Sequence, residues 1–192
     1  MPGKQAKILT PDQVTSLLEF TTHHTRYPIR NRLIVLLSVK AGLRAGEISN
    51  LTWDMVVDAG GTIGSMIELH DWAAKNGGGR RIPLHADLRA ALVEWRGQCS
   101  GTGSIVTSER GNAMTAVSIV NWFALAYRAI GLTGCSSHSG RRTFITRAAR
   151  LVHKAGGSLR DVQLLAGHRS IQTTQRYIDG DSDAQRRLVS LI

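Results

Sequence analysis

One stretch of the chain, from Gly134 to Gly180, holds an arginine, two histidines and a tyrosine at spacings that suit joint chemistry. His138 and Arg141 stand three residues apart, a Gly-His pair follows at Gly167 and His168, and Tyr177 lies shortly beyond. Positions i and i+3 share one face of a helix, so His138 and Arg141 project together if a helix starts here. Ser136 or Ser137 is placed to serve as its N-cap. The set suits a phosphate: an arginine fork grips the oxygens, a histidine moves protons, and a tyrosine hydroxyl attacks as a nucleophile. Any one of these residues alone reads more simply as structural, and a lone helical histidine usually is.

Positioning these side chains asks for three short helices. The first carries His138 and Arg141, with Phe144, Ala148 and Leu151 as its inner face. The second opens at Ser158-x-x-Asp161, the pattern of a capping box, and ends at Gly167. Ser170 caps the third, which carries Tyr177. Upstream, Thr10-Pro11-Asp12-Gln13 is a helix start with Thr as cap, Pro at the first position and Gln at the third. Pro28 opens a second upstream helix, and its run Leu33 to Leu37 is apolar all round, which marks it as central and buried. Gly42 ends it, and a short helix follows from Arg44 to about Leu51. From Trp53 to Leu84 glycines and β-formers dominate, which predicts a small antiparallel sheet of three strands: Met55–Val57, Met66–His70 and Arg81–Leu84. His85 to about Gln98 reads as helix, with Leu88, Ala91, Leu92 and Trp95 on one face. Thr115 caps another, with Val120, Phe123, Ala124 and Tyr127 inward. Residues 1–9 read as a disordered basic leader, and 10–192 as one mainly α domain with that small sheet. The tail from Asp181 reads as a last helix, apolar at Leu188, Leu191 and Ile192.

Composition narrows the partner. A chain of 192 residues with 42% hydrophobic content buries an ordinary core, and its formal net charge of +10 favours a polyanion, nucleic acid first and an acidic membrane surface second. Arginines crowd the opening stretch (Arg141, Arg142, Arg147, Arg150), and arginine suits phosphate gripping better than solubility alone requires. The two cysteines, Cys99 and Cys135, have no CxxC spacing, so a zinc site or disulfide framework is not indicated and a reducing cytoplasm fits. No apolar run spans a membrane. The triple glycine Gly77–Gly79 lacks the spacing of a phosphate-cradling P-loop.

Arg44 follows a glycine turn at a helix start, in Ala41-Gly42-Leu43-Arg44-Ala45-Gly46-Glu47. Glu47, one turn on, is placed to fix that guanidinium or a neighbour, although such pairs also occur as plain surface ion pairs. His23, His24, His70, His85 and His153 match no pattern, and Tyr27 and Tyr127 sit in apolar helical settings that read as core. Tyr177, by contrast, follows the polar run Gln172-Thr173-Thr174-Gln175-Arg176.

The order His138-x-x-Arg141, Gly167-His168, Tyr177, with the Arg44 segment upstream, resembles the boxes of the tyrosine recombinases, the family of lambda integrase and Cre. The family pattern is most often His-x-Leu-Arg-His; here Gly140 stands for the Leu and Arg142 for the second His. The likeness covers nearly the whole chain and corresponds to the family's catalytic domain, the DNA breaking-rejoining fold. It implies a site-specific recombinase that cleaves double-stranded DNA through a 3′-phosphotyrosyl intermediate, without metal or ATP, and self-associates on DNA. By resemblance Tyr177 is the nucleophile, Arg44 and Arg141 bind the non-bridging oxygens, His138 is the base, and His168 donates to the phosphate. Lys75, at the turn position of the family's lysine, protonates the leaving oxygen, with Arg80 and Arg81 as the basic alternatives nearby. Two other readings stay open: a type IB topoisomerase with the same chemistry, and a non-catalytic DNA-binding protein on this fold. Either an excised catalytic domain or a short member, similar to the fimbrial-phase invertases, is compatible with the length.

Overall fold

A computed structural model describes residues 6–177 and, in the tail, Arg186, Val189, Ser190 and Ile192. Among these residues are eight α-helices, three short 3₁₀ turns and one small sheet. The chain opens on α1 (Pro11–His23), whose capping box is formed: Gln13 N–H donates to Thr10 Oγ1 at 3.2 Å, and Thr10 N–H to Gln13 Oε1 at 3.0 Å. Next comes α2 (Pro28–Lys40), buried without a break from Leu33 to Val39. An all-round apolar helix has no face to give to water, and α1, α3 (Ala45–Asn50), α4 (Ala86–Arg96) and α6 (Ser139–Leu151) all pack on it. The remaining helices are α5 (Ala116–Ala129), α7 (Leu159–Ala166) and α8 (Ile171–Gln175).

The expected leader ends earlier than residue 9. Leu9 is 1% exposed, and its N–H donates to Thr143 Oγ1 on α6 at 2.8 Å, so an apolar side chain pins this segment to the core. Residues 1–5 lie outside the described residues.

The sheet is smaller than expected. It pairs β1 (Met66–Leu69) with β2 (Arg80–Pro83), antiparallel, with Ile67 opposite Ile82. The third predicted strand is instead a 3₁₀ turn, Trp53–Met55, followed by one isolated bridge between Val57 and Ile63. Asp58 explains the break: its carboxylate accepts from the N–H and the hydroxyl of Thr62, both at 2.9 Å, closing a tight loop where a strand would have to run on.

Two helices present a different face from the expected one. In α5 the buried residues are Ile119, Phe123, Ala126 and Tyr127, while Val120 and Ala124 face outward. In α6 the buried positions include Gly140, Thr143, Ile145, Thr146 and Ala149, whereas Leu151 is exposed. Phe144 and Ala148 are only half-buried. The reason is that α6 packs on two sides. Gly140 meets Ser38 and Val39 of α2, and Ile145, Ala149 and Val152 join Val162 and Ala166 of α7 in a second, smaller core. Tyr27, expected in the core, is half-buried with the Arg30 guanidinium 4.4 Å from its ring centre. Leu188 and Leu191 of the expected tail helix lie outside the described residues. No helix among the described residues is long and apolar enough to cross a membrane.

Candidate active site

Glu47 is the carboxylate around which the basic groups are arranged. Its side chain is 1% exposed, yet it is charged, because two guanidinium groups close on it. Arg44 Nη1 donates to Oε1 at 2.7 Å and Arg44 N–H to Oε2 at 3.0 Å. Arg80 donates through Nη1 to Oε1 at 3.1 Å and through Nη2 to Oε2 at 2.9 Å, a two-pronged grip. Burial by itself pushes the Glu47 carboxyl up, but the bonds and charge of Arg80 and then Arg44 outweigh it and hold it at about 2. Glu47 thus fixes both Arg44 and a neighbouring arginine, and the pair is not a plain surface ion pair.

The end of α7 is the second anchor. The last carbonyls of a helix have no partner within it and carry the negative end of the helix dipole. Arg80 Nε donates to Leu165 O at 2.9 Å, and Arg141 Nη2 donates to Ala166 O at 2.6 Å. Arg141 Nη1 also donates to Gly42 O, in the turn between α2 and α3, at 2.5 Å. Arg141 thus ties the main core to the smaller one. Burial, and then the charge of Arg44, lower its pKa. Gly167 ends α7 in the left-handed region, φ +62°, and a Cβ there would meet the Arg80 guanidinium at 2.9 Å.

His138 stands at the N-cap of α6 without a side-chain cap bond, so the helix begins later than a cap at Ser136 or Ser137 implies. Ser136 still contributes, its Oγ accepting from His138 N–H at 3.3 Å. Desolvation, then the charges of Arg141, Arg44 and Lys75, lower the His138 pKa, which leaves the imidazole neutral near pH 7. His168 is lowered further, to about 4, by burial and by Arg141, Arg44 and Arg80. Its Nε2 lies 3.2 Å from Arg141 Nη2, and its Nδ1 lies 2.9 Å from Thr174 Oγ1. Both ring nitrogens are thus engaged within the chain. Tyr177 sits in the turn just past α8, rather than on the helix, with its ring stacked on His168 at a centroid distance of 5.5 Å. Ser170 occupies the N-cap position of α8 without a side-chain cap bond.

A cleft of about 470 Å³ is lined by Arg44, His138, Arg141, Arg142, His168 and Tyr177. Two further hollows, about 390 and 240 Å³, share Arg44 with it, and Lys75 lines both, beside His138 in one and His168 in the other. Five of the six expected site residues therefore line one cleft, and Lys75 lines the two hollows beside it. Lys75 lies in a 3₁₀ turn, Lys75–Gly77, six residues beyond β1 rather than at the end of a strand. That loop is closed by Gly79 N–H donating to Asp71 Oδ1 at 2.9 Å, and a Cβ at Gly79 would meet Leu69 O at 2.7 Å. The alternatives to Lys75 are occupied elsewhere: Arg80 is buried on Glu47, and Arg81 pairs with Glu68 at 2.5 Å on the exposed face of the sheet. A separate hollow of about 490 Å³, between α1 and the end of α5, offers no arginine or lysine and so suits an anion poorly.

Residues 7–183 match the profile of the phage integrase family. The chain belongs to the phage integrase family. Among curated relatives of this phage integrase chain, tyrosine recombinase XerC of Pelobacter propionicus is 30% identical over 170 residues, which cover 86% of this chain and 53% of the relative. XerC of Roseiflexus castenholzii is 31% identical over 183 residues, 89% of this chain and 54% of the relative. The chain spans about half the length of the curated relatives it matches. Its fold is that of solved members. The integrase of transposon Tn1549, in complex with a circular-intermediate DNA, superposes over 100% of this chain and 67% of its own, with a TM-score of 0.75 at 22% identity. XerA recombinase gives 0.74 at 22% identity, over 100% of this chain and 65% of its own. A lambda integrase dimer bound to a core site gives 0.71 at 22% identity, over 91% of this chain and 48% of its own.

Several groups in this phage integrase site escape a reading by motif. Arg142, in the place of the usual second His, lines the cleft with its guanidinium 5.9 Å from the Tyr177 ring centre. Its Nε is shielded from solvent with no partner among the described residues. In the sequence Arg80 stands out only as a neighbour of Lys75, and nothing local announces that it reaches Leu165. Thr174, 0% exposed, had one available signal: it precedes Tyr177 by three positions, which a helical turn brings to the same side.

Proposed function

We propose that this chain is the DNA-cleaving and strand-joining domain of a tyrosine-type site-specific recombinase. The observation that carries the reading is the cleft in which Arg44, His138, Arg141, His168 and Tyr177 meet, with Lys75 in the two neighbouring hollows that share Arg44 with it. Arg44, Arg80, Arg141, Arg142 and Lys75 against one buried carboxylate make this a site for an anion, and the net charge of +10 extends that preference to the whole polyanionic duplex.

The chemistry follows from the placement. The Tyr177 hydroxyl attacks the scissile phosphorus, giving its proton to His138, whose lowered pKa keeps it neutral and able to accept. A new bond forms between phosphorus and the tyrosyl oxygen while the bond to the 5′-oxygen breaks. Lys75 protonates that leaving oxygen. Arg44 and Arg141 hold the non-bridging oxygens, where charge accumulates in the transition state. The product is a 3′-phosphotyrosyl link and a free 5′-hydroxyl, and attack by the 5′-hydroxyl of another strand reverses the chemistry onto a new partner. Recombination is preferred to relaxation because the relatives named above are recombinases. The lambda integrase neighbour is a dimer bound to its site, and by the same likeness this chain is proposed to self-associate on double-stranded DNA, in the cytoplasm.

The test is strand transfer. A nicked duplex that releases its 5′-fragment should trap an adduct, and a marked strand with a free 5′-hydroxyl should then discharge it into a longer product. An adduct that only ever rejoins its own strand would favour relaxation, and no adduct would favour the non-catalytic reading.

A further inference from the structure

His168 is expected to offer an N–H to the phosphate, but its bonds leave none free in this structure. Arginine has only donors, so an imidazole nitrogen facing it must be the bare acceptor. Arg141 Nη2 stands 3.2 Å from Nε2. The proton of the neutral ring is therefore on Nδ1, where Thr174 Oγ1 receives it at 2.9 Å. Thr174 is fully buried and belongs to α8, the helix that delivers Tyr177, and the Tyr177 ring itself lies against the imidazole at 5.5 Å. Arg141, further held by Gly42 O and Ala166 O, is the fixed end of the chain of bonds.

We infer that Thr174 is a positioning residue: it holds His168 in the Nδ1–H form, so that Nε2 accepts from Arg141 and orients that guanidinium while the nucleophile helix is docked. The inference rests on the proposed function for its consequence in catalysis, but not for its structural content. The tautomer is a property of the DNA-free chain. Docking of α8 and the state of the phosphate-binding arginine are linked by one hydroxyl: a Tyr177 segment that leaves the site takes the acceptor of Nδ1–H with it, and the imidazole is then free to turn or to exchange its proton to Nε2. No partner has to be invoked for the link, since every bond in it lies between Gly42 and Tyr177 of the same chain.

The test reads the ring nitrogens of ¹⁵N-histidine-labelled protein without DNA, with the His168 signals among the seven histidines identified by their loss in His168→Gln. Wild type should show the Nδ1–H pattern. Thr174→Val, which replaces the hydroxyl by a methyl group of the same shape, should lose that pattern, and Thr174→Ser should keep it. Adduct formation on a nicked duplex should slow about tenfold in Thr174→Val, the scale of one lost buried hydrogen bond, and recover in Thr174→Ser. A wild-type His168 protonated on Nε2 overturns the inference, and this reading needs no variant to fold. So does a Thr174→Val protein that keeps the Nδ1–H pattern, or one that loses it and cleaves at the wild-type rate. Absence of any adduct in wild type would strike the proposed function instead and leave the tautomer measurement standing.

Discussion

Lys75 is exposed on a short turn, and its proposed work is a single proton transfer. That role predicts a selective rescue. Lys75→Ala should cleave ordinary DNA about 10²–10⁴ times more slowly, the usual contribution of a general acid. On a substrate with sulfur at the 5′-bridging position it should approach wild type, because a thiolate leaves without a proton. Arg44→Ala and Arg141→Ala should each lose about 10²–10³ in rate and gain nothing from sulfur, since the non-bridging oxygens they are proposed to hold are unchanged. Adduct yield over time on the two substrates checks all three. The residues of this set were legible because the chemistry demands particular side chains at particular spacings, and Arg44, His138, Arg141, His168 and Tyr177 stand in motifs. Their partners were not. Glu47 was visible as a neighbour of Arg44, but its second arginine arrives from β2, 33 positions away, and the carbonyls that hold Arg80 and Arg141 belong to a helix end known only once the chain is folded.

Gly140 shows the same limit between elements. From sequence it looks like a weak spot at the start of α6, where the family more often has leucine. In the fold a Cβ there would collide with Ser38 Oγ of α2 and come within 3.0 Å of Ser38 Cβ. The glycine lets α6 lie close against α2 and so sets the height of Arg141. Gly140→Ala should cost about 1–3 kcal/mol through overpacking, seen as a lower denaturation midpoint, and Ser38→Ala in the same chain should recover part of it. Glu47→Ala should cost more, about 3–5 kcal/mol, because it strands two guanidinium groups, and Glu47→Gln should cost less, since its one amide oxygen keeps half of the bonds while its NH2 turns donor against donor on the other half. Helix starts were readable at Thr10, Thr115 and Ser158, where a cap and its partner lie within one turn. The third strand was misread because Val56 and Val57 favour a strand in isolation, while the Asp58–Thr62 loop closes too soon for one. The inner face of α6 was misread because that helix serves two cores, and a single apolar stripe cannot describe it.

At the scale of the molecule, the buried charges make the folded chain sensitive to acid. Above pH 6.5 His168 is neutral in both folded and unfolded chains. As the pH falls below 6.5 the unfolded chain binds a proton that the folded one refuses until about 4, so stability drops across that window. Glu47 adds a second loss in the same direction, beginning near 4.5 and ending near 2, as its ion pairs are titrated away. The melting temperature should therefore fall from pH 7 to pH 4, and His168→Gln should flatten the upper part of that fall. Affinity for duplex DNA should drop steeply between low and physiological salt, because the excess of +10 acts through released counterions. The central claim is that Tyr177 becomes covalently joined to DNA, and its most direct test is a nicked duplex incubated with wild type and with Tyr177→Phe, followed by mass analysis of the protein–DNA adduct. Wild type should carry a 3′-phosphate on the peptide containing Tyr177, and the phenylalanine variant, missing one oxygen, should fold and bind but carry none. An adduct of normal yield in the variant, or one mapped to another residue, would contradict the account.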